Sequence, residues 1–79
     1  MKIKDEKFFD LVDLGYKAID TEDGRTLAAK FFGDSYAIYV DFLTKEITLY
    51  RGGIFFKADS DLCTYMKGLK KLWKLGFIE

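Results

Sequence analysis

The side chains that most often perform acid, base or nucleophilic chemistry are scarce in this chain of 79 residues. It contains no histidine, so the commonest general base is missing and no serine has a histidine partner. Two carboxylate pairs remain, Glu22 with Asp23 in a predicted turn and Asp59 with Asp61 at a predicted helix start. General acid or base catalysis needs a pocket that shifts a pKa, whereas turn and cap carboxylates are typically solvated. We therefore expect a protein that is not an enzyme.

Metal and cofactor binding have little support. Cys63 is the one cysteine, and with no histidine it cannot complete a zinc site. Its place at the border of a helical apolar stripe is typical of a cysteine that acts as a small hydrophobic residue. The glycines of Arg51-Gly52-Gly53 lack the Lys-Ser/Thr pair of a phosphate loop. The sequence predicts no metal and no cofactor.

Four lysines form a basic face on the last predicted helix, at i, i+3, i+4 and i+7: Lys67, Lys70, Lys71 and Lys74. One interpretation is the solvated back of an amphipathic helix. The other is a contact with phosphates or an acidic partner. The chain has no net charge, but six basic and nine acidic residues give −3 through Thr44, and seven basic and four acidic residues give +3 from Lys45 onward. This pattern indicates a dipolar surface.

Alternating side chains predict a β-hairpin on either side of Gly33-Asp34. A turn of these two residues sets Leu27 opposite Val40, and it buries one set of side chains on the first strand: Leu27, Ala29 and Phe31. A second turn over 43–46 sets Val40 opposite Leu49 and buries the same side of the sheet.

The open side of this sheet is expected to carry Tyr39 and Tyr50 as direct cross-strand neighbours. Such a pair stabilises a sheet by about 0.5 kcal/mol, which is one interpretation. Tyrosine is also enriched in protein interfaces, which makes a partner-binding patch the alternative. The residues predicted to contact a partner are Ala28, Lys30, Tyr39, Tyr50 and Arg51.

These elements predict an α+β fold in the order α-β-β-β-β-α, one domain over 1–79. It is an antiparallel four-stranded meander with N- and C-terminal helices packed on one face. The first helix is expected at about 5–14 and ends at Gly15, with an apolar stripe of Phe8, Leu11, Val12 and Leu14. The last ends at Gly76 and buries Leu62, Tyr65, Met66, Leu69, Leu72 and Trp73. Residues 54–57 are predicted as an extended edge or a fifth short strand.

Composition places this domain among soluble proteins. Hydrophobic residues make up 49% of the chain, and eight of them are phenylalanine, enough for a core without disulfides. The N-terminal residues lack the apolar segment of a signal peptide, and no apolar run approaches the roughly 20 residues of a membrane span. We expect a cytoplasmic protein.

The layout resembles short orphan proteins encoded by phages and prophages of Gram-positive bacteria. The matching segments are Leu14-Gly15-Tyr16, the strands around Asp41 to Ile47, and Lys74-Leu75-Gly76-Phe77. The resemblance spans nearly the whole chain, although its motifs are helix ends and turns. It implies an accessory role in the host cytoplasm. Some proteins of this kind, anti-CRISPR proteins among them, bind and inhibit host defence or transcription machinery.

The first functional hypothesis is therefore a non-enzymatic accessory protein that binds a host protein, with a CRISPR effector or another defence nuclease as one possible target. The second is a small nucleic-acid-binding module that uses the four helix lysines. The third is a homodimer whose open sheet faces meet. The neutral net charge argues against an acidic mimic of DNA.

Overall fold

The computed structural model describes residues 1–52 and 59–79 as an α+β fold. A 3₁₀ helix over Asp5–Leu14 precedes four strands and a C-terminal helix: β1 (Lys17–Asp20), β2 (Thr26–Phe32), β3 (Tyr36–Asp41), β4 (Ile47–Arg51) and α1 (Asp59–Lys74). Neighbouring strands pair antiparallel in chain order, so the predicted meander is confirmed. The extended edge or fifth strand predicted at 54–57 lies outside the described residues.

The β2–β3 hairpin differs from the prediction by one residue. Its loop holds the three residues 33–35 instead of two, so Phe32 pairs with Tyr36. Gly33 opens this loop at a φ of 69°, which glycine adopts without strain. Because successive side chains of a strand point to opposite faces, the slip turns all of β2 over relative to β3. The predicted inward face of β2 is therefore wrong, and the helix side carries Ala28, Lys30 and Phe32.

The β3–β4 hairpin is displaced from the prediction by two residues. Val40 pairs with Ile47 and Ile38 with Leu49. A displacement of two preserves the face of every side chain, so Ile47 and Leu49 remain on the helix side as expected.

The 3₁₀ geometry of the first helix explains which of its apolar residues are buried. With three residues per turn, side chains at i and i+3 eclipse each other. Phe8 and Leu11 therefore share one face and are buried, at 3% and 1% exposure. Phe9 and Val12 share another face and are 79% and 68% exposed. The prediction that Val12 belongs to the buried stripe assumed 3.6 residues per turn and is wrong.

Both helices end in the same glycine-based Schellman motif. Gly76 takes a φ of 75°, and the N–H of Phe77 donates to the carbonyl of Leu72 at 2.9 Å. This bond confirms the predicted Schellman-type contact, and both Phe77 and Leu72 are buried in the core cluster. Gly15 and Tyr16 close the 3₁₀ helix with the corresponding backbone bonds.

The two termini meet beside the sheet. The N–H of Ile3 donates to the carbonyl of Lys45 at 2.9 Å, and the N–H of Lys4 donates to the carbonyl of Phe77 at 2.8 Å. Ile3 is fully buried and Ile78 is 7% exposed. These bonds join chain ends in one core, an arrangement that no local pattern indicated.

Helix α1 covers β2 and β3 on the same face as the 3₁₀ helix. The ring of Tyr65 stacks on that of Tyr36 with centroids 4.9 Å apart. A Cβ at Gly68 would lie 2.6 Å from Cζ of Phe32, so the missing side chain allows this close approach. The core cluster comprises Ile3, Phe8, Leu11, Tyr16, Ala28, Phe32, Tyr36, Ile38, Val40, Leu72, Phe77 and Ile78. Two residues predicted within the helix stripe lie at its edge and are about half exposed: Met66 and Trp73.

Candidate functional site

Three aromatic side chains form a row across the face of the sheet opposite the helices. Phe31 on β2 meets Tyr39 on β3 edge to face, with ring centroids 6.0 Å apart. Tyr39 in turn meets Tyr50 on β4 at 6.1 Å. Phe31 is 59% exposed and Tyr50 is 47% exposed. We refer to these three residues as the aromatic row.

Small residues between the rings produce this geometry. Ala37 stands opposite both Phe31 and Tyr50, and Ala29 stands opposite Tyr39. Each ring is therefore a diagonal neighbour of the next, a distance that aromatic side chains can bridge. The two alanines are buried, at 1% and 2% exposure. The predicted direct pairing of Tyr39 with Tyr50 is wrong by two residues, but both lie on the open face as expected.

Three of the five residues predicted to contact a partner lie on the helix side instead. The register slip of β2 buries Ala28 and turns Lys30 toward the helices. Arg51 alternates with Tyr50 on β4 and pairs with a core residue of β3. Its charge acts on Tyr65 of α1, where burial raises the tyrosine pKa and Arg51 opposes the rise. Phe31 was missed because a two-residue turn would have placed it in the core.

Lys30 joins the sheet to the end of the 3₁₀ helix. Its Nζ donates to the carbonyl of Leu14 at 2.6 Å, which places a cation at the negative end of that helix. The same nitrogen lies 5.5 Å from the ring centroid of Phe32 and 5.9 Å from that of Tyr16. Partial burial lowers the pKa of Lys30, and the nearby charge of Lys71 lowers it further. The ammonium group of Lys30 therefore has a hydrogen-bond acceptor at the end of the 3₁₀ helix and a like charge, Lys71, nearby.

An open cavity of about 770 Å³ lies beside Tyr39, where the β1–β2 and β3–β4 turns come together. Leu27 and Leu43 supply apolar wall, and Leu43 is 89% exposed. Arg25 and Asp41 supply the charged rim, with the guanidinium Nη1 3.9 Å from the carboxylate Oδ2. The cavity extends the aromatic row along the open face.

The carboxylates near this cavity have structural hydrogen bonds. Oδ1 of Asp41 accepts the N–H groups of Thr44 at 3.0 Å and Leu43 at 2.7 Å, which lowers the Asp41 pKa. In the β1–β2 turn, a hydrogen bond from the Thr21 hydroxyl lowers the pKa of Asp23. A lowered pKa keeps a carboxyl group ionised at neutral pH, so neither residue is suited to general acid catalysis. The predicted turn at Glu22 and Asp23 is confirmed.

The four helix lysines are all exposed, as predicted, but they divide into two pairs. Lys67 and Lys71 line a groove between α1 and β2, with Lys30 on its other side. Lys70 and Lys74 do not line this groove.

Within the described ranges 1–52 and 59–79, no three His, Cys, Asp or Glu residues lie close enough together to hold a metal ion. Cys63 is exposed, so the expectation that it packs as a small hydrophobic residue is wrong. No helix in those ranges has the length and hydropathy needed to cross a membrane. No family model, curated protein or solved structure matches the chain.

Proposed function

We propose that this protein is a non-enzymatic binding module whose interface for another protein is the open face of the sheet. The observation that supports it is the aromatic row, three rings from three adjacent strands on the face opposite both helices. Aromatic residues are enriched in protein interfaces, and tyrosine is one of the residue types that carry much of their binding energy.

The row is pre-organised for binding. Each ring already makes an edge-to-face contact with its neighbour, so little side-chain entropy remains to be lost on association. The cavity beside Tyr39 offers space for a side chain from the partner. Its leucine walls favour an apolar anchor, which would be surrounded by the polar rim of Arg25 and Asp41. The partner is accordingly a protein that presents an apolar side chain to a flat aromatic surface.

The resemblance to phage and prophage proteins supports a host protein as this partner. Inhibition of a defence nuclease is one activity that such binding would produce. A second copy of the chain is the competing occupant, and mass measurement by light scattering over a concentration series distinguishes the two. A dimer that dissociates in the Tyr50→Ala variant would replace the host-protein proposal.

The test is affinity capture from the lysate of a Gram-positive bacterium, with nuclease present and bound proteins identified by mass spectrometry. The bait is compared with Phe31→Ala and Tyr50→Ala variants. Phe9→Ala is the matched control, because Phe9 is an exposed aromatic residue on the 3₁₀ helix, away from the row. Each row variant should lower the affinity for a retained protein by about 30-fold, the effect of a hot spot worth about 2 kcal/mol.

A partner counts as support only if Phe9→Ala retains it and both row variants lose it. If every retained protein binds the row variants as well as it binds the parent, the open face is not the interface. The row would then be sheet packing alone.

A further inference from the structure

Strand β1 forms one edge of the sheet, and its outer side is open. The strand order places β1 at one edge and β4 at the other. The N-terminal residues cover the start of β4, where the N–H of Ile47 donates to the carbonyl of Met1 at 2.9 Å. Among the residues that the structure describes, β1 forms backbone ladder bonds with β2 alone. An open edge of this kind offers backbone donors and acceptors to an added strand.

The sheet register identifies which backbone groups of β1 point outward. The N–H of Thr21 donates to the carbonyl of Arg25 at 2.8 Å, so these two residues are a bonded pair. They follow directly after the pair of Asp20 with Thr26. Because bonded and non-bonded pairs alternate along an antiparallel ladder, Asp20 and Ala18 direct their N–H and C=O groups away from β2. Both residues are exposed.

An open pocket of about 170 Å³ lies beside this edge, between β1 and the 3₁₀ helix. Ala18 pairs with the buried Ala28, so its side chain lies on the helix side of the sheet, and both residues line the pocket. From the helix, Phe9 and Val12 line it, and the ring of Phe9 meets that of Phe8 edge to face at 5.3 Å. An apolar cavity of about 150 Å³ holds a benzene ring, so this pocket matches one leucine or phenylalanine side chain.

The outward backbone groups and the pocket are in register with each other. In an added antiparallel strand, the residue opposite Ala18 would exchange backbone bonds with it and place its own side chain on the same face. That side chain would enter the pocket and cover Phe9 and Val12, which are 79% and 68% exposed. Main-chain bonds combined with a pocket for alternate side chains are the means by which sheet edges recognise extended peptides.

The segment that forms this site is acidic. Residues 5–23 contain seven acidic and two basic side chains. Within the described part of the chain, Asp23 is the one of these seven that takes part in an ion pair. Asp10 and Asp13 adjoin the exposed apolar face of the 3₁₀ helix and are themselves exposed. The charge near the pocket is therefore negative and not neutralised.

The two basic side chains of the segment are directed elsewhere. Nζ of Lys7 lies 5.7 Å from the ring centroid of Phe77. Lys17 borders the pocket from β1, but it pairs with Ala29, so its side chain is on the open side of the sheet. A second copy of the chain paired edge to edge would bring two acidic segments together, because a twofold interface joins a surface to itself. A basic partner would be attracted instead.

We propose that the outer edge of β1 binds a basic, extended segment of another protein as an added antiparallel strand, with one apolar side chain in the pocket beneath the 3₁₀ helix. Lysine or arginine residues two positions before and after this anchor would share its face, toward Asp10, Asp13 and Asp20. The proposal does not depend on the binding role of the open face, since the edge and the pocket use none of the aromatic row.

Fluorescence anisotropy with a labelled peptide, Thr-Lys-Thr-Leu-Thr-Lys-Thr, provides the test. In an extended strand its leucine and both lysines share one face. Saturable binding is expected below about 1 mM peptide. Methylation of the leucine N–H should abolish it, because in the antiparallel pairing that group donates to β1. Methylation of the next threonine N–H, which points away from β1, is the matched control and should change the affinity by less than about threefold.

Protein variants test the pocket and the charge separately. Phe9→Ala should weaken binding about fivefold through lost apolar contact, and Tyr50→Ala is its control on the open face. Asp10→Asn/Asp13→Asn should weaken binding about fivefold at 0.05 M salt, and the difference should disappear at 0.5 M salt. Its matched control removes two exposed carboxylates outside the segment, Asp34→Asn/Glu79→Gln. All the replaced side chains are exposed, so circular dichroism should show folded variants.

The anchor is tested by alanine in place of leucine in the peptide, which should cost about tenfold in affinity. Equal binding of these two peptides, or full binding by the peptide methylated at leucine, would overturn the proposal. Failure to saturate by about 1 mM would do the same. A dimer that light scattering detects without peptide, and that Phe9→Ala dissociates, would show a second copy at the edge instead. None of these outcomes affects the open-face proposal, which the Tyr50→Ala variant tests.

Discussion

The neighbouring residues Phe31 and Phe32 allow a direct test of the sheet register. In the structure Phe32 is 7% exposed and packs against Gly68 and Tyr65, whereas Phe31 is 59% exposed on the open face. A two-residue turn at Gly33 would exchange these environments. Replacing each phenylalanine by alanine therefore compares the two registers with chemically identical changes one residue apart.

The expected magnitudes differ enough to be measured. Truncation of a buried phenylalanine to alanine typically costs about 3 to 5 kcal/mol, which we expect for Phe32→Ala. Phe31 keeps about two fifths of its surface buried, so at about 25 cal/mol per Å² its truncation should cost about 1 to 2 kcal/mol. A domain of this size has a total stability of about 4 to 12 kcal/mol, so Phe32→Ala is able to unfold it outright.

Urea unfolding at 25 °C is the assay. With a slope of about 1 kcal/mol per M, the midpoint should fall by about 1 to 2 M for Phe31→Ala and by about 3 to 5 M for Phe32→Ala. If Phe32→Ala does not fold, the leucine pair replaces the alanine pair, with an expected loss of about 1 kcal/mol at Phe32 and less at Phe31. A larger loss at Phe31 than at Phe32 in either pair would refute the observed register and favour the two-residue turn.

Three further changes test separate features. Burial raises the pKa of Tyr16, so above about pH 10 the folded protein keeps the phenol proton that the unfolded chain releases. The free energy of unfolding should therefore fall by about 1.4 kcal/mol per pH unit in this range. Urea unfolding at pH 9 and 11 should show that Tyr16→Phe reduces this fall, and an equal fall in both proteins would contradict it. Hydrogen bonds from Thr44 and Leu43 lower the pKa of Asp41, so its contribution to stability is present above about pH 4 and is lost as the pH falls further. Between pH 5 and 2.5 the free energy of unfolding should therefore fall less in Asp41→Asn than in the parent protein, as measured by urea unfolding. Gly68→Ala should not stabilise the protein, because overpacking against Phe32 costs about 1 to 3 kcal/mol and offsets a helix-propensity gain of about 1 kcal/mol. In a Phe32→Leu background the same change should raise the thermal unfolding midpoint, because the smaller side chain leaves room for the methyl group. No rise in that background would argue against the contact between Gly68 and Phe32.

The sequence was sufficient for the elements and their order, because the period of the apolar residues and the glycines at helix ends are local signals. Gly15 and Gly76 illustrate this, since each ends a helix where the pattern predicted. Strand register is a different kind of quantity. The register of β2 against β3 depends on whether Ser35 belongs to the loop or to the strand. The two-residue turn sets apolar residues opposite each other along one face, whereas the observed register sets Lys30 opposite Ile38 and Leu27 opposite Asp41, so the apolar pattern favoured the wrong choice.

The other errors arise because local sequence patterns do not contain the information that decides them. The burial of Leu11 fits both an α-helix and a 3₁₀ helix, but the exposure of Val12 follows only from the period of three residues per turn, which the sequence pattern did not establish. The burial of Ile3 depends on backbone bonds to the far end of the chain. Contacts of this kind have no signature within a sequence window of ten or fifteen residues.

The register slip changes the functional interpretation as much as the fold. It removes Lys30 from the open face and places it near Lys71, and it moves Phe31 from the expected core to the open face, where its ring meets that of Tyr39. Phe31 is therefore the residue that the slip adds to the proposed binding face. A two-residue turn would bury that ring and leave Tyr39 and Tyr50 as the aromatic residues of the open face. Phe31→Ala therefore tests the register and the proposed interface together, whereas Tyr50→Ala tests the interface alone.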